Sequence, residues 1–101
     1  MAQDTVMFKK NRTKVLDCWE NSYEKNGEKK EFFSIYVHEA SIPEEGLEPR
    51  VLKIDVPHRE AYIEAKKLVG HSCSFVAVKD SFGKFERYTY LCSIEEFLKA
   101  S

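Results

Sequence analysis

The chain has 101 residues, of which 43% are hydrophobic and 33% charged, with a formal net charge of −1. That length holds one small globular domain with a single core. So high a charged fraction, with no apolar run near the roughly 20 residues of a bilayer span, argues against a membrane protein. The near-zero charge gives no global pull toward polyanions, since a dedicated DNA-binding domain usually carries a clear basic excess.

Residues 1–12 show no periodicity and are expected to be a flexible arm or a short edge segment, with 13–101 as the folded domain. The first apolar-periodic run, Lys14–Glu20, predicts a strand over about Thr13–Trp19 that can continue to Tyr23. Asn26-Gly27 then marks a hairpin, because both residues tolerate the positive φ of a type I′ turn. The polar stretch around it, Glu24 to Glu31, can project into water. Phe32–His38 alternates, with Phe33, Ile35 and Val37 on one face and Phe32, Ser34, Tyr36 and His38 on the other. Ser41–Pro49 reads as a loop, and Val51–Val56 as a strand with Leu52, Ile54 and Val56 inward.

A helix is predicted at Pro57–Leu68, with Pro57 near its first turn and Gly70 just past its end. Ala61, Ala65 and Leu68 form a narrow stripe of small apolar residues for packing. Two more strands, Ser72–Lys79 and Phe85–Leu91, make a second hairpin through Asp80-Ser81-Phe82-Gly83-Lys84. Ser93-Ile94-Glu95-Glu96 is a capping box opening a short C-terminal helix that carries Ile94, Phe97 and Leu98.

The order β-β-β-α-β-β predicts a mainly β fold: a five-stranded, partly open OB-like antiparallel barrel. Its helix between strands three and four caps one end, and the C-terminal helix packs outside. Such barrels mostly hold single-stranded nucleic acid or oligosaccharide on one face, an analogy that the residues must carry. The N-terminus lacks the basic and apolar regions of a signal peptide. Cys18, Cys73 and Cys92 are odd in number and form no CxxC or Cys/His spacing, as expected of reduced thiols in a cytoplasmic protein.

Catalysis is not expected. His38, His58 and His71 are scattered over separate elements, and no Gly-x-Ser-x-Gly, HExxH or phosphate-cradling glycine loop occurs. Cys73 with His38 reads more simply as a core thiol beside a surface imidazole than as a nucleophile pair. His38 and His71 lack a third ligand for a metal. No cofactor, metal, small-molecule substrate or membrane is called for.

Aromatic and basic residues are the better lead, because single-strand binders need rings for bases to stack on and cations that follow phosphates. Aromatics make up 13% of the chain, and several sit beside Lys or Arg. Phe33, Phe75 and Phe97 read as core. Tyr36 on a polar strand side and Phe82 at a hairpin tip have little to bury against, so they are stacking candidates. Phe85, Tyr88 and Trp19 join them. The alternation around Trp19 does not settle its face, and neither Phe85/Arg87/Thr89/Leu91 nor Glu86/Tyr88/Tyr90/Cys92 is a cleanly apolar face of the last strand. Lys25, Lys29, Lys30, Lys53, Lys84 and Arg87 are the candidate phosphate contacts. Lys9, Lys10, Arg12 and Lys14 add a basic block, while acids gather at Glu44, Glu45 and Glu48 and at Glu95 and Glu96, so one face can be positive although the sum is neutral.

In size, strand order, the basic turn Lys25-Asn26-Gly27-Glu28-Lys29-Lys30 and the aromatic-basic hairpin Phe82-Gly83-Lys84-Phe85, the chain resembles the small OB-fold single-stranded DNA-binding proteins of filamentous bacteriophages and plasmids. The resemblance implies cooperative, sequence-independent coating of single-stranded DNA during phage or plasmid replication, usually by a homodimer. The helix is longer than in the smallest members and the charge is more acidic. The alternative from the residues is a protein-interaction module using the same exposed rings. For self-association two surfaces stand out: the first-strand edge near Lys14–Cys18 and the apolar flank of the C-terminal helix.

Overall fold

A computed structural model describes residues 2–100. Its strands are β1 (Ala2–Phe8), β2 (Thr13–Lys25), β3 (Glu28–Glu39), β4 (Arg50–Val56), β5 (Phe75–Phe82) and β6 (Phe85–Ser93). Helix α1 (Arg59–Lys66) lies between β4 and β5, α2 (Ile94–Ala100) follows β6, and Pro43–Glu45 forms one 3₁₀ turn. The strands lie in the order β1-β5-β6-β4-β3-β2. All neighbours run antiparallel except β4 and β6, which pair in parallel through Ile54↔Tyr88 and Asp55↔Thr89.

The expected five-stranded antiparallel barrel therefore does not form. There are six strands in one open mixed sheet, and no ladder joins β1 to β2. The extra strand is the segment that the sequence left between an arm and an edge piece. Residues 2–8 have little apolar alternation to read, and β1 is defined by its backbone register against β5, from Ala2↔Ser81 to Phe8↔Phe75. Hydrophobic period identifies a strand's faces, and it says nothing about which strand sits at its edge.

The two edges of this sheet are consecutive in the chain, joined by residues 9–12. Laid flat, six strands about 4.8 Å apart would hold their edges about 24 Å apart. The five Cα steps from Phe8 to Thr13 reach at most about 18 Å. The sheet must curl. The link is coiled further by N–H groups of Arg12 and Thr13 donating to the Lys9 carbonyl at 3.0 and 2.9 Å.

The inner face of the curl holds the core: Phe8, Val15, Phe33, Ile35, Val37, Ile54, Val56, Phe75, Ala77, Tyr88 and Tyr90, with Ala61, Tyr62 and Ala65 from α1. The inward alternation read for β3 and β4 is the one observed. Phe8 stacks on Phe75 with ring centroids 4.7 Å apart, and Tyr62 stacks on Phe33 at 4.7 Å. Helix α1 is shorter than its sequence signals: His58 is its N-cap, with Nδ1 accepting from the Ala61 N–H at 3.2 Å. Asn26 (φ 54°) and Gly27 (φ 79°) turn the β2–β3 hairpin as expected. Ser93 Oγ accepts from the Glu96 N–H at 3.2 Å and caps α2.

One buried charge ties the curl shut. Glu39, only 6% exposed, accepts from Arg12 Nη1 at 3.1 Å and from Arg50 Nε at 2.6 Å. Arg12 also donates to the carbonyls of Ala40 at 2.6 Å and Glu48 at 3.1 Å, so one guanidinium joins the β1–β2 link, β3 and the following loop.

Arg12→Ala is expected to destabilise the fold by on the order of 3 kcal/mol in urea unfolding, because it strips a buried carboxylate of one partner and two carbonyls of their donor. Arg50→Ala, which leaves Glu39 held by Arg12, costs less. Alkaline pH supplies a second test. Burial pushes the Tyr62 and Tyr90 phenols from 10.0 up to about 12. The unfolded chain therefore loses these protons first, and the stability they contribute is intact below pH 10 and lost as pH rises toward about 12. Ultraviolet titration should show both ionising together with unfolding rather than before it.

Candidate functional site on the outer sheet face

With the inner face filled, the opposite residues of β2, β3, β4 and β6 make up an outer face. Strand register aligns them. Trp19 lies opposite Ser34, Ser34 opposite Asp55, and Asp55 opposite Thr89. The adjacent row runs from Asp17 through Tyr36 to Lys53, with Arg87 two residues before Thr89 on β6. On the other side of Trp19, Asn21 lies opposite Phe32 and Tyr23 opposite Lys30. Two-residue alternation puts Tyr23, Trp19, Phe32, Tyr36, Lys30, Lys53 and Arg87 on one face.

The rings there are exposed although large: Trp19 is 44% and Phe32 48% accessible. Tyr23 stacks on Phe32 with centroids 5.6 Å apart, and Lys53 Nζ sits 5.7 Å from the centre of the indole ring. Between Trp19, Phe32, Lys53 and Arg87 opens a groove of about 460 Å³ floored by Ser34, Asp55 and Thr89. Its volume lies in the range of small-ligand sites. Arg87 Nε donates to Asp55 Oδ2 at 2.8 Å, which holds the guanidinium over the groove. At the groove's end Arg59 bridges Glu31 at 3.2 Å and Glu20 at 3.5 Å, and the hydrogen bond to Arg59 holds the Glu31 carboxyl below its ordinary range.

The remaining sequence candidates divide. Tyr36 is half-buried between Asp17 and Lys53. Phe82 and Phe85 face each other at the tip of the β5–β6 hairpin, where Phe85 is 77% exposed and Lys84 is also in solvent. Tyr88 is not available for stacking: it is 5% exposed and packs edge-on against Phe8 at 6.0 Å. Its face could not be chosen from an alternation that was mixed on both sides. Lys25 and Lys30 lie on the outer face of the β2–β3 hairpin, whereas Lys29 projects from the other face and pairs with Glu31 at 3.6 Å. Lys30 pairs with Glu28 at 3.5 Å.

Sequence reading missed the Tyr23/Phe32 stack as part of the site. Its signal was the Asn26-Gly27 turn itself, which sets a register that makes Tyr23 and Phe32 diagonal neighbours. Elsewhere, burial raises the thiols of Cys73 and Cys92 and so disfavours the nucleophilic thiolate. Among the described residues no group of three or more His, Cys, Asp or Glu is placed to hold a metal ion, and no helix is long and apolar enough to cross a membrane. The chain matches no family model, no curated protein and no solved structure.

Trp19 is the sole tryptophan, so its emission reports on this face alone. Iodide should quench it more strongly than caesium at low salt, because Lys53 beside the ring attracts the anion. Lys53→Glu should reverse that order. An emission insensitive to both quenchers would place the indole in the interior.

Proposed function

We propose that the outer face of β2, β3, β4 and β6 binds single-stranded DNA without strong sequence preference. The observation that carries this reading is the grouping of two exposed rings, Trp19 and Phe32, with Lys53 and Arg87 around one groove, and Tyr23 stacked on Phe32 beside it. Flat rings accept any base by stacking, and flanking cations follow the phosphates, which is the common requirement of single-strand binding. In this reading Trp19 and Phe32 stack bases, Lys53 and Arg87 neutralise phosphates at the groove, and Lys25 and Lys30 extend the track along the hairpin. Phe85, with Lys84 beside it, supplies a further contact at the far end of the same face. The role is binding rather than catalysis.

A protein-interaction surface is the second reading, favoured by the net charge of −1 and by Asp17 and Asp55 on the same face. Salt dependence separates the two. Single-strand binding weakens with a log–log slope of about −0.7 per phosphate neutralised, so four cations give about −3.

Titration with oligo-dT at low salt should quench Trp19 emission with that slope. Phe32→Ala should weaken binding about 5- to 150-fold, the equivalent of the roughly 1–3 kcal/mol of one stacked base. Lys67→Ala, at the C-terminal cap of α1 and away from this face, should leave it unchanged. No quenching at low salt would remove the nucleic-acid reading and leave the interaction surface.

A further inference from the structure

We infer that two copies of this chain join through their β2 edges, antiparallel over residues 17–25, with the two-fold axis at Asn21. The edge in question is open. Near its start β2 is covered by the segment after α1. The Gly70 N–H donates to the Val15 carbonyl at 2.8 Å, the Val15 N–H to the His71 carbonyl at 3.2 Å, and the Cys73 N–H to the Thr13 carbonyl at 3.1 Å. Lys14 and Val15 are thereby withdrawn from the surface that the sequence offered for pairing. Beyond Val15, among the described residues, no backbone group of another element bonds to this edge.

The far part of β2 is supported by β3 alone. The ladder between β3 and β4 begins only at Phe33↔Val56, so Asn21–Lys25 and Glu28–Phe32 form a two-stranded ribbon extending from the body. All residues from Trp19 to Lys30 are exposed, and the molecule is 53 Å long against 33 and 29 Å in its other dimensions. A two-stranded ribbon is marginal in water unless a third strand or a packed layer supports it. A long unprotected edge is a template for another strand.

Which strand fits is decided by charge and register. The two-residue turn makes Lys25 and Glu28 a bonded pair, so Asp17, Trp19, Asn21, Tyr23 and Lys25 direct their backbone groups at β3. Cys18, Glu20, Ser22 and Glu24 direct theirs outward. The Cys18 N–H in fact turns to the Asp17 carboxylate at 2.8 Å. A two-fold axis at Glu20 would oppose Glu20 to itself, and one at Ser22 would oppose Glu20 to Glu24 twice, and like charges directly opposite are destabilising. Axes further along in either direction leave much of the ribbon unpaired. With the axis at Asn21, Asp17 meets the partner's Lys25, Trp19 meets the partner's Tyr23, and Glu20 meets the partner's Ser22. No like charges are opposed, and Glu20 and the partner's Ser22 both present free backbone groups, as a bonded pair requires.

The result is a sheet running β3-β2 of one copy into β2-β3 of the other. Two-fold closure makes it finite. Trp19 of each copy then adjoins the partner's Tyr23, which itself stacks on Phe32, so the two aromatic rows become one surface.

Light scattering without nucleic acid at micromolar concentration should return about twice the 11.8 kDa of one chain. Ser22→Pro removes an outward N–H without touching the β2–β3 ladder, and should halve that mass with the far-ultraviolet spectrum unchanged. Asn21→Cys sits on the axis and should form an intermolecular disulfide under mild oxidation above the wild-type baseline. Ser22→Cys, whose counterpart lies beyond disulfide reach, should not. The cross-linking pair decides the matter if Ser22→Pro fails to fold. A wild-type mass of one chain, a folded Ser22→Pro that stays dimeric, or equal cross-linking at 21 and 22 would each overturn the inference. A dimer that leaves oligo-dT unbound would count against the nucleic-acid reading alone.

Discussion

The rest of the structure follows from one constraint: the two opposite edges of the sheet are neighbours in the chain. Four linking residues cannot span a flat six-stranded sheet, so the sheet curls and gives itself an inside. That inside accepts Phe8 from one edge strand and Val15 from the other, and α1 lies against it through Tyr62 on Phe33. The hydrophobic term is large only because the curl lets one sheet bury its own face with little help from helices. Arg12 belongs to the same constraint, since it stands in the link itself and fastens it to Glu39 of β3 and to the loop beyond.

Curling also defines the other face. Side chains that alternate away from the core are presented on the outside, and rings placed there cannot bury against a second layer. Tyr23 and Phe32 are left to cover one another, and Trp19 to be covered by Lys53. Leaving such rings accessible forgoes hydrophobic stabilisation that an inward position would supply, which is the physical reason for treating the patch as a surface for recognition. The acids interleaved with its cations limit long-range attraction, so stacking and contact geometry outweigh net charge in any binding here.

The hairpin of β2 and β3 shows how local and distant effects divide. Its turn and register come from Asn26-Gly27 and from alternation in the strands, both short-range. Its outer half has no core to pack on, and its edge has no strand beside it. The body of the molecule is thus complete in itself, whereas this ribbon leaves its edge backbone groups and its rings to solvent.

Much of the fold was legible in the residues because it depends on near neighbours. Period-two alternation marked β3 and β4 with their inward faces, turn chemistry placed the hairpin, and capping residues placed both helices, although His58 rather than Pro57 proved to set the start of α1. What could not be read was pairing between distant segments. β1 has too little alternation to declare itself and exists by its register with β5, the parallel contact of β4 with β6 has no local signal, and the expected barrel gave way to an open mixed sheet for that reason. The same divide runs through the site. Composition and adjacency pointed to rings and cations, but the face taken by Trp19, the burial of Tyr88 and the gathering of Phe32 with Lys53 and Arg87 were decided by which strands lie side by side. A side chain's direction follows from its own backbone, while its company follows from the register of strands far away in sequence.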